Sequence, residues 1–115
     1  YATPSPRTPR REMARAGRAL SEDEKRHARD LAAAIYLITG KAYCPRVCVE
    51  QPDSCDLCAL LRSLYHAEAC AGYNYARAGE ETLDLCLRRM FAAMSEDEYR
   101  HAELLMKLLG RKMNV

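Results

Sequence analysis

The sequence predicts an all-α fold, a bundle of long helices, on three observations. Apolar residues recur at alternating spacings of three and four through three long stretches, the period of a helix with one buried face. Two of those stretches carry a near-copy of one segment. Ser21-Glu22-Asp23-Glu24-Lys25-Arg26-His27-Ala28 is answered by Ser95-Glu96-Asp97-Glu98-Tyr99-Arg100-His101-Ala102. The composition, 49% apolar with 30% charged residues in 115, suits one soluble globular domain with a single core.

Composition also narrows the function classes. A net charge of +2 with dispersed arginines argues against nucleic acid as a partner. No apolar run approaches the roughly 20 residues that span a bilayer, so no membrane partner is expected. The polar, proline-rich start is no secretory signal, and a cytoplasmic protein with reduced thiols is the expectation. The chain begins at Tyr1 and not at Met, which marks it as processed, trimmed or part of a longer protein.

Taken in order, residues 1–9 hold Pro4, Pro6 and Pro9 and read as a turn or tail. From about Arg10 to Thr39, Met13, Ala16, Leu20, Glu24, His27, Leu31, Ala34 and Ile38 lie along one helical face, with Gly40 as its stop. Residues 41–55 form a cysteine-containing connection, longer than a tight hairpin needs and suited to a crossover along the bundle. Asp53 or Ser54 is placed to cap the next helix, about 55–78, whose face is Leu57, Leu61, Leu64, Glu68, Ala71 and Tyr75. Gly79 is the expected turn. A last helix over about 80–109 presents Leu83, Leu87, Met90, Met94, Glu98, His101, Leu105 and Leu108, with Gly110 as its stop.

Glutamates and histidines inside apolar stripes need an explanation, because burying an unpaired carboxylate costs several kcal/mol. In each copy Glu-x-x-His stacks a carboxylate and an imidazole one turn apart on one face. The offset that carries Glu24 onto Glu98 also carries His27 onto His101, Leu31 onto Leu105 and Tyr1-Ala2 onto Tyr75-Ala76. The chain therefore reads as two helix pairs, and the counterpart of Glu68 falls just upstream of Tyr1. A first helix with its glutamate is expected to be missing or truncated, with the proline-rich segment as the turn that followed it. Were the chain complete, the apolar groove left on the other helices would favour a homodimer.

Carboxylates with imidazoles suit iron or manganese. Glu24, His27, Glu68, Glu98 and His101 are the candidate ligands, since carboxylates from separate helices plus two Glu-x-x-His motifs make a di-metal carboxylate pattern. A surface or interhelical salt bridge is the alternative for either pair taken singly.

On these residues the chain resembles the rubrerythrin and ferritin-like family. Residues 56–109, with Glu68, Tyr75 and Glu98-x-x-His101, resemble the second half of such a domain. Residues 10–40, with Glu24-x-x-His27, resemble its second helix. The resemblance implies a ferritin-like four-helix bundle, up-down, crossover, up-down, around a centre of two iron ions, with manganese as the other candidate. It also implies reduction of peroxide or reaction with dioxygen, with electrons from an external donor. The glutamate that some rubrerythrins add on the third helix has no counterpart, because Ala71 and Gly72 stand there. An iron-storage or ferroxidase module, or a metal-free helical assembly protein, is the alternative reading.

Cys44, Cys48, Cys55 and Cys58 have the residue types of a zinc site, but their spacing is neither that of two ribbon knuckles nor that of rubredoxin, and plain thiols are expected there. Cys70 and Cys86 are expected as small core residues. His66, Tyr36 and Tyr99 lie off the inward faces. Tyr75 is placed for packing or for a bond to a carboxylate. Arg26 and Arg100 are expected to pair near the surface or just behind the ligands.

Overall fold

The computed structural model describes residues 8–42 and 56–113, and these form three helices with no strand among them. They are α1 (Thr8–Thr39), α2 (Leu57–Glu81) and α3 (Leu85–Met113). The crossover 43–55, with Cys44, Cys48, Cys55, Asp53 and Ser54, lies outside the described residues, as do 1–7.

Each boundary has a local cause. Helix α1 starts at Thr8, two residues before the expected start, because Pro9 sits in the first turn, where no backbone N–H is required. It ends as the sequence predicts. Gly40 takes a left-handed φ of 71°, and its N–H donates to the Tyr36 carbonyl at 2.8 Å. Asp56 is the N-cap of α2, accepting from the N–H groups of Cys58 (3.0 Å) and Ala59 (3.4 Å). Gly79 is not a turn. It lies buried within α2 against α3, where an added Cβ would make ordinary contacts with the Phe91 Cβ at 3.5 Å and the Arg88 carbonyl at 3.6 Å. The turn falls at Thr82–Asp84. Thr82 leaves the helix in extended geometry, and Asp84 accepts from the Leu87 N–H at 3.0 Å to start α3. Gly110 does not stop α3 either; glycine without a left-handed cap only weakens a helix, and α3 runs on to Met113.

Helix α3 is the central element, antiparallel to both neighbours. Early α1 and late α3 line one hollow, late α1 and early α3 another, while Gly72 meets Tyr99 and Gly79 meets Phe91. Helices α1 and α2 therefore run parallel, the arrangement that a crossover produces, and they flank α3 without close backbone approach to each other. The apolar core gathers at one end, where Ala16, Leu61, Leu105 and Leu108 are buried with Met13, Leu20, Leu57 and Tyr65 around them. The opposite end is open. Leu37, Ile38, Leu83 and Leu85 are exposed there, so Ile38 and Leu83 are not on buried faces as their spacing suggested. Leu83 precedes α3, and Ile38 borders the open hollow between the end of α1 and the start of α3. Cys70 and Cys86 are exposed rather than core, each lying beside the buried stripe of its helix; Cys58 is half-buried. No described helix is long and apolar enough to cross a membrane.

Candidate metal centre

The site lies beyond the core, where all three helices contribute. Helix α1 brings Glu24 and His27, α2 brings Glu68, and α3 brings Glu98 and His101. Ligand-capable atoms of Glu24, Glu68, Glu98 and His101 all lie within 4.8 Å of one another. His27 joins from the side, its Nδ1 3.0 Å from Glu98 Oε1. The His101 Nδ1 is 3.5 Å from Glu68 Oε2, 3.6 Å from Glu24 Oε1 and 3.8 Å from Glu98 Oε1. Residues from all three predicted helical faces thus converge. Glu98 is the shared member, with one oxygen facing both imidazoles.

Burial is deep and uneven. His27, Glu68, Glu98 and His101 are buried, whereas the Glu24 side chain keeps 45% of its surface. Four buried atoms, His27 Nδ1, Glu68 Oε2, Glu98 Oε1 and His101 Nδ1, make no hydrogen bond. Leaving a buried polar atom unsatisfied costs about 1–3 kcal/mol each. Burial, with Glu68 and Glu24 hydrogen-bonded and charged alongside, pushes the Glu98 carboxyl up to about 10. Without a cation the cluster must hold a proton at Glu98. Glu24, Glu68, Glu98 and His101 form a group that could hold a metal ion, with His27 beside it.

The outward nitrogens of the two histidines are bonded crosswise. His27 Nε2 donates to Asp97 Oδ2 at 2.8 Å, and His101 Nε2 donates to Asp23 Oδ2 at 2.6 Å. Each aspartate immediately precedes the glutamate of its own copy and serves the histidine of the other. A proton committed to Nε2 leaves Nδ1 with its lone pair facing the cluster, the tautomer a metal ligand needs. Burial raises the Asp97 carboxyl, but hydrogen bonds from His27 and Arg26 and the charges of Arg100 and Arg26 outweigh it and hold the group below its usual range. Arg26 reaches Asp97 (2.8 Å) and Asp23 (3.1 Å), and Arg100 pairs with Asp97 and stands 3.8 Å from Asp23. The two arginines are therefore paired just behind the ligands, as the sequence suggests. Asp23 and Asp97 are the residues of the candidate site that sequence reasoning passed over. Their signal was present, since the repeat keeps an aspartate directly before each glutamate.

The remaining expected residues fall as follows. The Tyr75 ring lies edge-on to His27 with centroids 6.0 Å apart and stacks on Phe91 at 6.2 Å, so it packs against a ligand. Burial and the charges of Glu98, Glu24 and Glu68 raise its hydroxyl above the ordinary value. His66 is exposed against Tyr65 and away from the cluster. Tyr36 and Tyr99 are exposed, though the Tyr99 ring covers the backbone at Gly72. No family model, curated protein or solved structure matches the chain.

Proposed function

We propose that the chain binds two divalent metal ions, iron or manganese, in a rubrerythrin-type carboxylate centre and acts as an oxidoreductase on peroxide or dioxygen. The observation that carries this is the convergence of four unbonded buried atoms, from His27, Glu68, Glu98 and His101, with Glu24 completing the donor set. Each of these atoms lies 3.0–3.8 Å from another of them, and a cation among them would take up the charge of the three carboxylates that two imidazoles leave unbalanced.

Bound ferrous ions would supply electrons to the oxidant and Lewis acidity to its oxygens. The residues do the rest. His27 and His101 each hold one pole of the cluster, oriented by Asp97 and Asp23. Glu98, between the two imidazoles, is the carboxylate placed to be shared, and it gives up its proton when a cation replaces it. Glu24, the most exposed ligand, marks the side from which a small oxidant reaches the centre. Helix α2 closes the far side with Glu68 and the Tyr75 ring. Electrons to restore the ferrous state come from an external donor.

Anaerobic loading with ferrous iron followed by metal analysis tests the reading. Two ions per chain are expected, and none in Glu98→Ala. Equal iron in both proteins would overturn it. Mixing the loaded protein with peroxide or with dioxygen then separates a peroxide reductase from a ferroxidase by which oxidant reacts faster.

A further inference from the structure

Helix α1 is held to the rest of the molecule in an unusual way. Among its described residues only Ala16 and His27 are buried, and His27 belongs to the metal centre. Helices α2 and α3 interlock along their length through Leu61 and Leu105, Gly72 and Tyr99, and Gly79 and Phe91. The seam between α1 and α3 has a hollow on each side of the centre, and the α2–α3 seam has one of about 430 Å³ by Ala76, Gly79 and Ala92. Of the two beside α1, one of about 360 Å³ lies by Ala16, Ala19 and Leu104, and one of about 310 Å³ lies by Ala34, Leu37 and Met90. Between these two, residues 23–27 meet residues 97–101 through the crossed aspartate–histidine and arginine–aspartate bonds. The same turn of α1 carries Glu24 toward Glu68 and Glu98. Without a cation, that approach sets carboxyl groups against one another at the point where α1 is attached.

We propose that α1 docks on the α2–α3 hairpin as the divalent cation binds, so that loading of the centre and closure of the molecule are one event. This rests on the metal-binding reading. A cation among Glu24, Glu68, Glu98 and the two histidines is held by three helices jointly and stabilises only arrangements with α1 in place. The α2–α3 hairpin carries most of the buried side chains and stands in both states. In the cation-free state α1 opens transiently and more often, which exposes Glu68, Glu98 and His101 and gives the ion its way in. The crossed Asp23–His101 and Asp97–His27 bonds then form with closure, setting the imidazoles at the moment that they are needed.

Hydrogen exchange of the full chain, read by mass spectrometry under argon with manganese(II) as the probe, tests this. With manganese at roughly 100 times its dissociation constant, mass action lowers the opening of α1 by about 100-fold, and exchange of amides in 15–35 should slow by that factor. Central amides of α2 and α3 should be protected already without the ion. Glu24→Gln keeps the size of the side chain, and at the same manganese concentration its weaker binding should slow α1 by only about 10-fold while α2 and α3 keep their protection. If calorimetry shows manganese bound but α1 is as protected without it as α3, the coupling is overturned and the metal-binding reading stands. The coupling is equally overturned if Glu24→Gln protects α1 as fully as the parent does. If no manganese binds at all, both readings fall.

Discussion

Two stretches of nearly identical sequence end in different surroundings. In the copy on α1, Ser21 and Ala28 are exposed and the Glu24 side chain keeps 45% of its surface. In the copy on α3, Ser95 and Ala102 are buried, the Glu98 side chain keeps 2%, and the Ser95 hydroxyl donates to the Gly72 carbonyl across the helix interface at 2.7 Å. The histidines match, both buried and both bonded at Nε2 to an aspartate of the other copy, and those aspartates match in being half-buried. The lesson is that the motif sets which groups can meet, while the neighbours of its helix set how dry each group becomes. Helix α3 is flanked on two sides and α1 on one. Equal residues therefore acquire unequal roles, Glu98 as the buried shared carboxylate and Glu24 as the accessible one.

The comparison breaks most visibly at the two glutamates. Glu98→Ala should weaken metal binding by well over about 100-fold, because it removes the carboxylate shared by both imidazoles. Glu24→Ala should cost nearer 10-fold, since an exposed ligand is replaced in part by water. Isothermal calorimetry with manganese measures both, and equal losses would mean that the copies are equivalent after all.

A smaller effect is expected at the crossed aspartates. Asp97→Asn and Asp23→Asn should each lower metal affinity by about 10–100-fold, because an amide no longer holds the imidazole in the Nε2–H tautomer. The double variant should cost less than the product of the two if the crossed bonds form one unit. Additive losses would show two independent supports.

The buried copy should also show itself in the pH dependence of the metal-free protein. Glu98 ionises near 4.5 in the unfolded chain and holds its proton up to about 10 when folded. The unfolded state then binds fewer protons, so stability falls as pH rises through that window, by at most about 1.4 kcal/mol per pH unit. Glu98→Gln should remove the slope. Urea midpoints of the two proteins at pH 6 and 8 test it, and parallel trends would count against the buried, protonated carboxyl.

The smallest difference lies in the glycines near each copy. A methyl at Gly17 on α1 meets nothing within 4 Å, so Gly17→Ala should stabilise by up to about 1 kcal/mol through helix propensity alone. A methyl at Gly72, opposite the α3 copy, would stand 3.0 Å from the Tyr99 ring. There the gain is cancelled as the half-exposed ring is displaced. Thermal midpoints of the two variants compare the open and the packed sides directly.

Much of this architecture could be read before any coordinates. Helical periodicity is a local property, and it placed three helices, the Gly40 cap and the inward positions of Glu68, Glu98, His101 and His27, because a residue's face follows from its number along the helix. The repeat named the metal-ligand candidates for the same reason. Three things needed the tertiary structure. Which glycines end helices depends on the backbone and on facing atoms, so Gly79 and Gly110 misled where Asp84 and Thr82 decided. Burial of a stripe depends on what covers it, so Ile38, Leu83, Cys70 and Cys86 were read too deep. The pairing of Asp23 with His101 and of Asp97 with His27 exists only where α1 and α3 lie antiparallel. No spacing within one helix encodes a bond that two helices make between them.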